Sequence, residues 1–412
     1  MNRIRIILLS LLCSFQLAAQ QVLTLDQALE LAVKENFDIQ LSNKQLAEKQ
    51  TNNTLGNAGM LPTASIEGLS SIGNSQMASA SLELNWTLFN GGRMFVTKDK
   101  LNQLVRLGEL QFKEQVLETS YSVVATYYNV VRAKQQLRSI EESIRYNQER
   151  VAISETAFKS GAKPITDFLQ AKIDLNEAME RALTQKIAIL EAKRSLNLLL
   201  SRDSDFQFDV PDAISNGFVL DESIIFDRMK SNNTTILALK KQIEVNRLAF
   251  NEVKTNLLPT LSLNAGVGMS VSKNAAGAVT RSNALEPELT GRLSIPLFQA
   301  GEVARKKKVA ALTVEASEVN LEKATSEILA VMQHAIDDYK HQKSLIDIEK
   351  DNNLLTKQLL EISIERLRLG QTTSLEVHQA HQNFVDSNTR LIDYQFALKL
   401  SETKLKQLIA DL

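Results

Sequence analysis

The sequence predicts long coiled-coil α-helices joined to short membrane-spanning β-strands, with the whole plan present twice in one chain. Three observations point to it. Two stretches about two hundred residues apart, "LELNWTLFNGGR" from Leu82 and "GRLSIPLFQAGE" from Gly291, alternate apolar and polar residues and end in Phe, two spacers and Gly. Each is followed by more than sixty residues almost free of Gly and Pro. In the first of those stretches Val130, Leu137, Ile144, Val151 and Phe158 recur at steps of seven, the spacing of coiled-coil packing.

The duplication sets the element order. "LPTASIEG" at Leu61 answers to "LPTLSLNAG" at Leu258, Phe89…Gly92 to Phe298…Gly301, and "FKSGAKPITDFLQA" at Phe158 to "LRLGQTTSLEVHQA" at Leu367. The last two markers are offset by 209 residues and the first by 197, so the second copy carries 12 more residues between its strands. The expected organisation is a leader at 1–19, a first repeat at 20–200, a connecting segment at 201–233 and a second repeat at 234–412. The first repeat reads as a helix to about Asn57, a β-hairpin at 61–89, a long helix at 92–159 and a return helix at 166–201. The second reads as a helix from Thr234 to Thr255, a hairpin at 258–298, a long helix at 302–369 and a return helix at 374–410. Thr373-Ser374-Leu375-Glu376 is a capping-box pattern that starts the last helix. At 1.5 Å per residue each long helix spans about 100 Å.

In the strands, Leu82, Leu84, Trp86 and Leu88 share one face; so do Leu261, Leu263 and Val267, and Leu293 and Ile295. The opposite faces carry Ser, Asn, Thr and the charges Glu67, Glu83, Glu288 and Arg292. Strands of about ten residues suit a tilted crossing of a bilayer, and no amphipathic helix is left over to cover the apolar face. A membrane sheet must close, because an open edge leaves backbone groups unpaired in hydrocarbon. The smallest such barrels use about eight strands, and one chain offers only four. Several copies must therefore share one barrel.

Composition agrees with an exported protein. "MNRIRIILLSLLCSFQLAAQQ" has a basic start at Arg3 and Arg5, an apolar run from Ile6 to Leu12, and small residues at Ala18 and Ala19. That is a secretory leader with cleavage expected after Ala19, although Leu17 sits where a smaller residue is preferred. Cys13, the single cysteine, lies inside it, so the mature chain has no thiol chemistry. The formal charge of −1 argues against nucleic acid as a partner, which needs a basic surface. No nucleophile elbow or phosphate-binding loop is visible, and no cofactor is expected.

With these residues in place the chain resembles the TolC-like outer-membrane efflux proteins. The resemblance is carried by Leu25, Ala28, Leu29, Ala32 and Asn36 at the opening, by both "LPT" strand starts, by both "LF-x-x-G" strand ends, and by the two turn motifs at Phe158 and Leu367. The family's opening usually continues Asn-Pro, whereas Phe37 follows here. The resemblance implies a homotrimer in the outer membrane of a Gram-negative bacterium, with twelve strands in one barrel and twelve helical segments in a periplasmic tunnel. It implies a non-enzymatic exit duct working with a periplasmic adaptor (membrane fusion) protein and an inner-membrane pump of the RND or ABC type. A type I polypeptide secretion duct shares that architecture, and a purely structural periplasmic coiled coil is the alternative of a different class.

The resemblance places the gate at the turns. Asp167 and Glu376, six residues beyond the turn glycines Gly161 and Gly370, would form acidic rings at the aperture, with Gln170 and Gln379 one turn further. The same carboxylates also suit the first turn of a helix, where they complement its dipole. Leu367 and Thr372 stand where a family member with a tightly tied gate has an aromatic and an Arg. His378 and His381, at i and i+3, are placed to share a metal but lack a third ligand, and read as polar helix-face residues with no metal site.

Overall fold

The computed structural model describes residues 22–73, 76–214, 217–273, 276–282 and 287–412. The expected leader at 1–19 and Cys13 lie outside the described residues. The helices are α1 (Leu25–Glu35), α2 (Phe37–Asn52), α3 (Arg93–Lys159), α4 (Ile165–Leu199), α5 (Glu222–Asn232), α6 (Thr234–Lys254), α7 (Glu302–Arg368) and α8 (Ser374–Leu408). The strands are β1 (Thr63–Ser71), β2 (Gln76–Asn90), β3 (Thr260–Lys273), β4 (Val279–Ser282) and β5 (Glu288–Ser294). Two compact units emerge: one takes the residues up to Gln40 with Gln115–Lys230 and Leu329–Leu412, the other Leu41–Glu114 with Ser231–Ile328. No described helix is long and apolar enough to cross a membrane.

In the strand-bearing unit β1 pairs with β2 and β2 with β3, all antiparallel. β4 pairs with Ser270–Lys273 and β5 with Thr260–Gly266, both along the edge of β3 that β2 leaves free. Among the described residues the five segments thus occupy four strand positions, and the outer edges of β1 and of β4 and β5 have no partner strand. Register places Ile66 beside Leu82 and Val267, and Trp86 beside Leu263, on one face. Ser65, Glu83, Gly266 and Glu288 form a row on the other.

Two strand assignments need correction. Leu88 does not continue the ladder: the register shifts between Thr87 and Phe89, and Phe89 stands opposite Leu261 instead. One extra residue in a bulge leaves its side chain out of the alternation. Ile295 lies past the end of β5, which stops at Ser294, because Pro296 has no N–H to donate to the ladder. The second hairpin therefore ends short of Phe298, whereas Phe89 is inside β2. The passage from β2 into α3 turns on Gly91, at φ +68°, where an added Cβ would meet the Leu258 Cβ at 2.5 Å and the Thr255 carbonyl at 2.9 Å. Only glycine fits there.

In the helical unit the expected single opening helix is two. Asn36 ends α1, and its Oδ1 accepts from the amides of Asp38 and Ile39 at 2.9 and 3.1 Å, starting α2 afresh. Its Nδ2 donates to the Leu199 carbonyl at 2.8 Å, fixing that break against the end of α4. Ahead of it, Thr24 and Gln27 form a complete capping box for α1. Ala28 and Ala32 are fully buried, so α1 presents a side without bulk to Val123, Tyr127, Val131 and Leu196 in the unit's core.

The connecting segment at 201–233 is also more structured than its composition suggests. Val22 and Asp209 form a parallel bridge. Phe208 and Val210 are core residues, and α5 occupies Glu222–Asn232. Its polar sequence hid a short helix whose buried contact is little more than Ile225 and Met229.

Candidate functional site

Both helical hairpins turn in the same way. At the end of α3 the Gly161 amide donates to the Phe158 carbonyl and the Ala162 amide to the Ala157 carbonyl, each at 2.9 Å. At the end of α7 the Gly370 amide donates to Leu367 at 3.0 Å and Gln371 to Arg366 at 2.8 Å. Each is a Schellman motif with a left-handed glycine, φ +74° at Gly161 and +72° at Gly370. The return helices then start differently. Pro164 precedes α4 with no side-chain cap, whereas the Thr373 hydroxyl accepts from the Glu376 amide at 3.2 Å. Only half of the expected box forms, because the Glu376 carboxylate is taken by the Thr372 hydroxyl rather than the Thr373 amide.

The four residues expected at an aperture are dispersed. Asp167 is half-buried beside a groove of about 610 Å3, lined also by Ile153, Ala157, Leu367 and Leu369 and by the Arg368–Glu149 ion pair. Gln170, Glu376 and Gln379 are exposed and do not line it. Gln170 donates to Asp174 at 2.8 Å and Gln379 to Asn383 at 3.1 Å, both along their own helices.

The structure adds a feature that heptad reasoning missed. In the last third of α3 the buried positions are Ser139, Ser143, Asn147, Arg150 and Ser154, at helical spacing of three and four. Three of these positions meet α8: Asn388 donates to the Ser139 hydroxyl at 2.6 Å, His381 Nε2 is 2.8 Å from the Ser143 hydroxyl, and Arg150 Nε donates to the Ser374 hydroxyl at 3.3 Å, while Asn147 donates to the Asp174 carbonyl of α4 at 3.4 Å. Asp174 of α4 closes the cluster, with an oxygen 2.7 Å from Arg150 Nη1 and 2.9 Å from His378 Nδ1. The Arg150 Nη atoms are buried without a directed hydrogen bond, so its contact with Asp174 is ionic rather than aligned. Burial alone would raise the Asp174 pKa, but the Gln170 hydrogen bond and the Arg150 guanidinium outweigh it and hold the carboxyl below its usual range.

The expectation for the histidines is corrected here. His381 is 5% exposed, not a surface residue, and the two rings have separate partners. Charged and small polar residues inside an apolar-periodic helix read as its solvated side, which is why the seam was not legible. Serine at three of its five positions was the one available signal.

In the strand-bearing unit the polar face of the sheet is hollowed into a cleft of about 570 Å3 lined by Glu83, Asn85, Ser262, Asn264, Glu288 and Arg292. The sheet therefore curves around its polar side and turns Leu82, Leu84, Trp86, Leu261 and Leu293 outward, all of them exposed. A barrel built from this sheet would have a wet interior and an apolar exterior.

Comparison with known proteins decides the family. The profile of outer membrane efflux proteins matches residues 28–202 and 225–411, nearly all of both repeats. The chain belongs to the outer membrane efflux protein family. Export across the outer membrane is its function and the outer membrane its location. It is 17% identical to the protease secretion protein PrtF of Dickeya chrysanthemi over 96% of this chain and 89% of that protein. It is 19% identical to the outer membrane protein TolC of Salmonella enteritidis, covering 82% and 70%. The solved structure of CusC superposes with a TM-score of 0.80 at 18% identity, covering 93% and 91%, a likeness of fold.

Proposed function

We propose that three copies of this efflux protein form one continuous duct, sharing a twelve-stranded barrel and joining their hairpins into a tunnel that receives cargo from a periplasmic adaptor and an inner-membrane pump. The observation that carries this is the sheet with two unpartnered edges: in hydrocarbon those edges must pair, and four strand positions in one chain are half the smallest barrel.

The helical unit supports the same assembly. α3 contacts α4 and α8, and α8 contacts α7. Within this unit α3 and α8 expose one large apolar side chain each, Phe158 and Leu375. The outer helices expose many: Leu169, Ile173, Leu183, Ile187 and Leu190 on α4, and Ile348, Leu355, Leu359 and Ile362 on α7. Steps of three, four, seven and ten keep side chains on one helix face, the pattern of a helix awaiting a neighbour, so α4 of one copy packs on α7 of the next. Leu82, Leu84, Trp86, Leu261, Leu263, Val267 and Leu293 then face lipid, and Asp167, Gln170, Glu376 and Gln379, near the turns, ring the aperture.

Such a duct conducts without catalysing. Reconstituted protein in planar bilayers should give discrete single-channel steps; insertion without conductance contradicts the reading. PrtF, named for protease secretion and matched over 96% of this chain, favours polypeptide as a second cargo class.

A further inference from the structure

Near the turns the two helical hairpins are held by different chemistry inside and between themselves. Within the α7–α8 hairpin the contact nearest the turn is apolar, with Leu360, Ile364 and Leu367 packed on Val377, Ala380 and Phe384; further along, Ser387 donates to the buried Glu349 carboxylate at 2.6 Å. Between the hairpins, α3 meets α8 along serines, an asparagine, Arg150 and His381, flanked by Tyr146 and Ile153 of α3, which pack beside the same apolar cluster. An apolar contact resists separation at any pH, whereas a buried polar one depends on the charge of its members. His381 sits in the middle of that seam and is its one imidazole. We propose that the α3–α8 seam is an acid-released contact between the two hairpins, with protonation of His381 as the trigger.

The geometry gives the sign. His381 is buried, and its Nε2 shares one hydrogen bond with the Ser143 hydroxyl, which can donate to a neutral ring or accept from it. A charged ring there would face the Arg150 guanidinium of α3 at close quarters, along with Arg181 of α4 and its own neighbour His378; Asp174 of α4 is the opposing charge. Asp174 is already engaged by Arg150 and His378. From α7 the apolar Leu360, Ile364 and Leu367 pack on this stretch of α8, and the buried Glu349 carboxylate accepts from Ser387 further along it. Burial first, and then Arg150, push His381 from 6.5 down to about 4.

A proton that binds at 6.5 when the ring is exposed and at about 4 when it is enclosed favours exposure as pH falls between those values. At pH 5 this shifts the enclosed-to-exposed ratio roughly 30-fold per copy towards exposure, by the same linkage. His378, whose side chain is 32% exposed, makes a separate contact with Asp174 at 2.9 Å.

The test is hydrogen exchange on the purified full chain in detergent at pH 7.5 and pH 5, corrected for intrinsic rates. Wild-type amides in 139–154 and 374–388 should lose protection at pH 5 by roughly 30-fold, with the core around Val123 and Leu196 unchanged. His381→Asn, which keeps a hydrogen-bonding group but cannot take a proton, should abolish the loss, and His378→Asn should not. Protection that is flat from pH 7.5 to pH 4 in the wild type, or an unchanged response in His381→Asn, overturns the proposal. Should His381→Asn not fold, the midpoint of the wild-type profile decides alone: it must fall between about 4 and 6.5. None of these readouts needs conductance, so a failure of the duct reading is separately visible.

Discussion

The Arg150–Asp174 pair shows how one buried contact makes a testable energy. Side-chain exposure is 2% for Arg150 and 7% for Asp174, so Arg150→Met strands a carboxylate away from water. Loss of one member of such a pair costs about 3–5 kcal/mol, whereas Arg150→Met with Asp174→Leu should cost much less; chemical denaturation of the three variants checks this. The pH dependence has a definite sign. Asp174 is held below its ordinary 3.8, so its contribution is complete above that value and is lost as pH falls through the lower, folded-state value. The turn glycines are the opposite case. A Cβ on Gly161 or Gly370 meets nothing within 4 Å, so Gly→Ala there should cost only the left-handed backbone term, about 1–2 kcal/mol. At the aperture, divalent or trivalent cations added from the turn side should block conductance, and Asp167→Asn with Glu376→Gln should abolish the block without loss of assembly. Block that survives both substitutions places the acidic ring elsewhere.

For single elements, the facing of the sheet makes the sharpest contrast. Leu84→Arg near the bilayer midplane should cost about 2–4 kcal/mol, and Asn85→Arg on the hollow polar face should be tolerated; equal effects on assembly would mean the faces are reversed. Strict alternation in β2, β3 and β5 made that facing legible, since a period of two has one reading once one side is apolar. Leu88 shows its limit: a bulge shifts register without leaving a mark in composition. The long helices were legible as elements because Gly and Pro are scarce from Arg93 to Lys159 and absent from Glu302 to Arg368. Their partners were not, because a heptad of apolar residues says that a face is covered and not by what. Hence Val130 is fully buried, while further along the same helix the buried positions pass to Ser143, Asn147 and Arg150. The break at Asn36 depends on a hydrogen bond to Leu199, 163 residues away, which no local pattern encodes.

At the scale of the whole molecule, the single chain is incomplete in two independent places. Among the described residues its sheet ends in two bare edges, and its outer helices α4 and α7 carry exposed apolar side chains. A soluble monomer would be expected to cover or charge both. Closing the sheet among three copies and packing α4 on a neighbour's α7 satisfies both at once, and gives each copy two hairpins' worth of barrel. The most direct measurement is the mass of the mature protein in a mild detergent, by light scattering or native mass spectrometry with the detergent contribution removed. The expected result is a single species of three times the chain mass that retains its β signal. A monodisperse monomer with that signal intact would contradict the shared barrel.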